Sequence, residues 1–270
     1  MSEHPGGVLL KVAYDGTHFR GWASQKGGER TIEDTLKGAI MAVDARASAP
    51  RGTSRTDRGV HAEAQMVAFD ATLPLPPRGW VLAINQHLPD DVCVRAARLI
   101  PPGYVPRFAA KGKRYRYRLV LDRIRDPLVM HRAWRIGFEL DIDKMRREAQ
   151  SIVGTHDFAA FRSAHDERQE TVRTVTRVAI EPDDLHGLDL HGRILSIVIE
   201  GNAFLHNMVR ILVGTLVDVA RGQLPEGTIA RALEGRDRRL SGATAPGHGL
   251  TLESIDLLLP SEMVGEPWPQ

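Results

Sequence analysis

A single carboxylate set between two guanidiniums is the most chemically pointed feature of this chain: Arg55-Thr56-Asp57-Arg58-Gly59-Val60-His61-Ala62. It follows the turn-rich run Ala49-Pro50-Arg51-Gly52-Thr53-Ser54 and precedes the strand-like Gln65-Met66-Val67-Ala68-Phe69, which places Asp57 on a loop just ahead of a sheet. Cationic neighbours favour the ionised carboxylate that a nucleophile or base needs. Gly59 leaves the backbone room to bend or a ligand room to approach. The same residues also fit an Asx turn in which Asp57 caps its own backbone, and the local pattern alone leaves both readings standing.

A second guanidinium stands out on the run Gly201 to Ile211, which passes from strand into helix. Arg210 lies among Leu205, Met208, Val209, Leu212, Val213 and Leu216, so it needs a partner or must carry its head out to water. Asp57 is a candidate partner, since a bidentate arginine–carboxylate pair would hold the acid ionised and aimed. Between them lies a cationic strip, Arg107, Lys111, Lys113, Arg114, Arg116 and Arg118, interleaved with Phe108, Tyr115 and Tyr117 and free of acidic residues. Such a strip suits a phosphate backbone, and equally suits a solvated sheet face. Strand alternation puts Tyr115, Tyr117, Leu119 and Leu121 on one face and the arginines on the other. His156-Asp157 invites a metal or triad reading, but no further ligand stands at suitable spacing and no G-x-S-x-G elbow occurs, so the pair is expected to pin a loop.

The elements that must position these groups follow from periodicity. Val8 to Tyr14 reads as a strand ended by Asp15-Gly16, and Thr31 caps a helix with Ile32, Leu36, Ala39, Ile40 and Val43 on one face. Phe19 and Trp22 in the intervening loop could stack on unpaired bases or belong to the core. Pro74 to Gly79 breaks the chain before a short helix from Trp80 to Gln86, and Val92 to Ile100 is a further strand. Pro101-Pro102-Gly103 and Pro106 mark a domain boundary. Beyond it come the strand Lys113 to Leu121, a helix started by Asp141 or Asp143 with Met145, Ala149, Ile152 and Val153 on its apolar face, strands Arg173 to Ile180 and Arg193 to Glu200, and a polar tail from Pro260. Both halves pair strands with amphipathic helices, which hints at a duplication with a groove between them.

With 270 residues, 42% hydrophobic and 26% charged, the composition is that of a globular protein. One cysteine, Cys93, excludes an internal disulfide framework and a cysteine metal cluster. The N-terminal residues lack a signal-peptide pattern, and Met208 to Ala220 carries Arg210 and Asp218 and is too short to span a bilayer, so a cytoplasmic location is expected. A net charge of +2 is too small to argue for a nucleic-acid partner. Neither a P-loop nor a zinc motif is present, so no nucleotide cofactor and no metal are expected.

Taken together, the motifs resemble the TruA family of tRNA pseudouridine synthases from about Leu10 to Leu252. The matching residues are Tyr14-Asp15-Gly16, Gly21-Trp22 and Gln25; Arg55 to Ala62 with Gln65 and Phe69; Ala83, Asn85 and Leu88; Lys113, Tyr115 and Tyr117; Gly154, His156-Asp157-Phe158 and Phe161; Asn202 to Arg210; and Ala245-Pro246 with Gly249-Leu250. Departures are Ala23, Ser54, Arg58 and Val105-Pro106, which touch loop shape and substrate preference. The resemblance implies an α+β pseudouridine synthase fold. Two similar α/β sandwich-like halves, 1–105 and 106–270, with mixed, mostly antiparallel sheets would flank a central active-site cleft. It implies isomerisation of uridine to pseudouridine in the anticodon stem-loop of tRNA by a homodimer without cofactor. Asp57 would be the nucleophile, Arg210 its active-site arginine and Tyr115 the contact to the target uridine. Arg55, Arg58, His61, Lys113, Arg114 and His206 are candidate substrate contacts. Two rivals are a non-catalytic RNA-binding protein and a hydrolase built on Asp57, His61 and Arg210.

Overall fold

Strand and helix patterns of the two kinds alternate along the chain in a computed structural model that describes residues 6–163, 166, 169–185, 194–259 and 268. In chain order the elements are β1 (Gly7–Tyr14), α1 (Ile32–Val43), β2 (Arg51–Gly52), β3 (His61–Asp70), α2 (Pro77–Asn85), β4 (Val92–Ile100), α3 (Pro106–Ala109), β5 (Ala110–Leu121), β6 (Trp134–Ile136), α4 (Ile142–Ala149), β7 (Gly154–Asp157), β8 (Val172–Asp183), β9 (Ile194–Gly201), α5 (Met208–Ala220), α6 (Thr228–Gly235) and β10 (Leu250–Leu257). They fall into two units, Met1–Lys111 with Leu252–Gln270, and Gly112–Thr251. The architecture is α+β with mixed, mostly antiparallel pairing.

In the first unit β1 is central, antiparallel to β4 on one side and β3 on the other, with β2 and β10 beside β3. Val8, Leu9, Leu10 and Val12 are fully buried, so the strand is apolar on both faces. Thr31 caps α1 by accepting from Asp34 N, and Ile32, Leu36, Ala39 and Ile40 form its buried face. The second helix starts at Pro77 rather than Trp80, because proline is at home in the first turn, where its missing N–H has no intrahelical partner to lose. Its Trp80 packs edge-on to Phe69 of β3, ring centroids 5.2 Å apart. Asn85 ends it by exchanging two 2.8 Å hydrogen bonds with the backbone of Val94 in β4. Of the tail beyond Pro260 only Trp268 is among the described residues, and it lies under the Arg98 guanidinium; the rest of that expectation lies outside them.

The second unit orders its strands β5-β9-β8-β7, with β6 parallel to β5. Its core helix is α5, in which every residue except Arg210 is buried. Asp141 caps α4, whose apolar face holds Met145, Ala149 and, one turn on, Ile152; Val153 points outward instead, 40% exposed. A 3-10 turn over Gln150–Ile152 advances the chain faster than an α-helix and takes Val153 out of register. His156 and Asp157 sit on β7, where His156 Nε2 bonds Val153 O and Asp157 accepts from Ala159 N and Thr171 Oγ1.

The arginines of β5 do not form an open cationic face. Arg114 pairs with Glu200 at 2.9 Å, and Arg116 and Arg118 both turn to Asp183 on β8. Burial would raise the Asp183 carboxyl, but hydrogen bonding from Ser196 and the charge of Arg118 outweigh it and hold it well below the usual carboxylate range. A depressed native pKa contributes stability above the unfolded value near 4, lost as the pH falls toward the native one. Asp183→Asn is expected to cost about 3 kcal/mol at pH 7, as for a broken buried ion pair. It should also flatten the fall of urea stability below about pH 4. Equal acid slopes in both proteins would contradict this role.

Candidate active site

The loop carrying Asp57 has no ladder of its own and is held by its neighbours within the first unit. Thr56 is the main tie. Its carbonyl accepts from Trp22 N at 3.0 Å, and its hydroxyl shares a 2.7 Å hydrogen bond with Tyr14 at the end of β1. Asp57 O accepts from Val60 N at 3.1 Å, closing a turn through Gly59, whose φ of 76° is the left-handed conformation that glycine adopts without strain. Upstream, buried Gln65 clamps Ser54 by both backbone groups, donating to its carbonyl at 2.6 Å and accepting from its N–H at 3.2 Å. Downstream, buried His61 has Nδ1 at 3.1 Å from both Gly16 N and Asp15 Oδ1. That nitrogen accepts from Gly16 when unprotonated and donates to Asp15 when protonated. The Asp57 side chain is half-buried, whereas Arg55 and Arg58 are exposed.

Phe19 and Trp22 belong to the core, 1% and 2% exposed, and are not stacking platforms. Their task is structural: Trp22 N binds Thr56, and the Phe19 carbonyl faces Gly59 N. Gly21 between them has φ of 109°, and a Cβ there would stand 2.8 Å from Thr56 O.

In the second unit three groups gather around the start of α5. Tyr115 is buried and meets the Phe204 ring edge-on at 5.2 Å. Tyr117, fully buried, donates to Pro246 O at 2.8 Å, and burial pushes its phenol pKa up against the opposing charge of Arg210. Arg210 is held at three points. Its Nε donates to Ala245 O at 2.8 Å, its backbone carbonyl accepts from Ala245 N at 3.1 Å, and its guanidinium donates to Asn207 Oδ1 at 2.7 Å. Asn207 precedes the helix with φ of 63°, a conformation asparagine tolerates. Of the other candidates, Lys113 is half-buried on β5, Arg114 is paired with Glu200, and exposed His206 donates its backbone N–H to Asp166. Thr56, Asn207, Ala245 and Pro246 are positioning residues: all four lie in stretches that carry the family resemblance, but nothing in the sequence alone assigned them a role. A glycine or asparagine just ahead of a buried helix is the one local signal that points to Asn207.

No group of three or more His, Cys, Asp or Glu among the described residues could hold a metal ion, and none of their helices is long and apolar enough to cross a membrane. Within the first unit the Asp57 carboxylate is held half-open on a clamped loop, and within the second the Arg210 guanidinium is held on a buried helix. A family model described as tRNA pseudouridine synthase matches residues 11–104 and 149–256, stretches that contain Asp57 and Arg210. Three bacterial relatives bear the name tRNA pseudouridine synthase A. That of Halalkalibacterium halodurans is 41% identical over 249 residues, covering 90% of this chain and 89% of its own. Those of Shouchella clausii, 39% identical, and Acetivibrio thermocellus, 38%, each cover 92% of this chain, and 92% and 98% of their own. The chain belongs to the tRNA pseudouridine synthase family.

Gly21→Ala tests the clamp. The added Cβ must push the Thr56 carbonyl away, which moves the backbone that aims Asp57. The variant is expected to stay folded, losing about 1–3 kcal/mol, and to turn over on the order of 100-fold more slowly. Unchanged kcat with an unchanged circular dichroism spectrum would remove the clamp from the account.

Proposed function

We propose that this protein isomerises uridine to pseudouridine in the anticodon stem-loop of tRNA, with Asp57 as the nucleophile and Arg210 as its charge partner. What carries the reading is the Asp57 loop itself: a clamped, half-exposed carboxylate in the stretch matched to the family. In the reaction the N1–C1′ bond breaks, the uracil turns, a C5–C1′ bond forms, and the proton leaving C5 is balanced by one gained at N1. A stacked base has no room for that turn, so the nucleotide is first flipped out. Asp57 then attacks either C1′ of the ribose or C6 of uracil, and in both cases leaves again when the carbon–carbon bond is made. Tyr115 stacks on or hydrogen-bonds the flipped base and relays a proton. Arg55, Arg58 and Lys113 take the backbone phosphates, with His61 and His206 beside them; Arg114 joins them only by leaving Glu200. The working form is a cytoplasmic homodimer whose two subunits share one tRNA, and sedimentation at twice the mass of the chain is the matching expectation.

Nucleoside analysis of tRNA incubated with wild type and Asp57→Ala is the test. The wild type is expected to produce pseudouridine with no change in tRNA mass. The variant is expected to make none while binding tRNA within about threefold of the wild-type affinity, since a lost carboxylate removes no phosphate contact. Product from Asp57→Ala, or a change in tRNA mass with wild type, would sink the reading.

A further inference from the structure

Away from the residues assigned above, the second unit has a cavity of ≈ 320 Å³ lined by Arg162, Ser163, Arg236, Asp237, Arg238 and Arg239, with Ala159 at its base. Four guanidiniums around one small hollow would repel each other unless something negative is shared among them. Arg236 and Arg239 are answered from within: Arg236 Nε lies 3.2 Å from Asp157, and Arg239 grips Asp237 at 2.6 Å while 90% exposed. Arg238 is different. It is held firmly, donating to Ser241 Oγ at 2.8 Å, Gly242 O at 2.9 Å and Thr244 Oγ1 at 3.3 Å, but every one of those oxygens is uncharged. Burial draws its pKa down from the usual arginine value, and among the described residues no carboxylate is paired with it.

From this geometry we infer that the cavity is a binding site for phosphate groups of the RNA backbone, an inference that rests on the tRNA-modifying reading above. A fixed planar guanidinium with a more exposed second one beside it matches the oxygens of a phosphodiester. The cavity is also tied to the reaction centre. Arg238 grips Gly242, and the same short segment runs along α5, where Gly242 N donates to Thr215 Oγ1, to Ala245, which holds Arg210 on both sides. On the other wall Ser163 N donates to the carbonyl of His206, next to Asn207. A phosphate seated here therefore rests against the same segment that holds Arg210, which suits a nucleotide flanking the target rather than a distant stem.

The test compares Arg239→Gln and Asp237→Asn with the wild type, since both side chains face the cavity and neither touches Arg210. Kd for tRNA is measured over a series of potassium chloride concentrations, and kcat and KM for pseudouridine formation separately. Arg239→Gln is expected to raise Kd and KM about tenfold with kcat within twofold, and to reduce the slope of log Kd on log salt by about 0.7–0.9, one phosphate's share. Asp237→Asn is expected to move both quantities the opposite way. Unchanged Kd and slope in both variants would overturn the site. Wild type that binds tRNA with the expected variant effects yet makes no pseudouridine would refute the proposed function and leave the phosphate site standing.

Discussion

Within the first unit the loop that carries Asp57 depends on how Thr56 is held. The residue sits in a loop between two strands, where backbone groups have no ladder partners, and a carboxylate carried there would wander over several ångströms without other ties. Instead the end of β1 supplies the Tyr14 hydroxyl and the buried Trp22 supplies its backbone N–H, so both the side chain and the carbonyl of Thr56 are engaged. Gln65 from the following strand closes the upstream side. The clamp draws only on strand ends and buried side chains, the least mobile parts of the fold. That is how a carboxylate can be placed on a loop yet behave as part of a sheet.

The back half solves the same problem differently. In α5 only Arg210 is not buried, so the helix itself has no freedom to rotate and takes its arginine with it. The segment from Gly242 to Ala245 then runs along that helix through Thr215, Asp218 and Arg210, tying backbone to side chain at each step. Tyr117 extends the tie to β5 through Pro246. A guanidinium so restrained loses little entropy when an anion arrives, which is the preorganisation that electrostatic catalysis needs.

Much of this was legible in the chain. The strand Val92–Ile100 and the helix capped by Thr31 emerged directly, because uninterrupted periodicity and a capping hydroxyl are local signals. Pro77 was less transparent, since proline both breaks a helix and begins one. The cationic strip was legible only in part: Glu200 and Asp183, which pair with its Arg114, Arg116 and Arg118, lie far along the chain, and a local charge run cannot show partners brought in by strand pairing. The same holds for the last strand, whose residues from Leu252 on join the first unit. Asp57 and Arg210 were visible as types at telling positions. Their restraints at Thr56, Asn207 and Ala245 were not, because each is a contact that exists only once the chain is folded: Tyr14 and Trp22 meet Thr56, and the Arg210 guanidinium meets Asn207 and Ala245.

The proposal that Asp57 and Arg210 act as one unit is tested most directly by single-turnover rates of pseudouridine formation in a double-mutant cycle. Asp57→Glu lengthens the acid and Arg210→Lys shortens the base, so each keeps its charge and leaves a measurable rate. Paired groups predict that the double variant is no slower than the slower single variant. Rate losses that multiply would show two groups acting independently and would contradict the account.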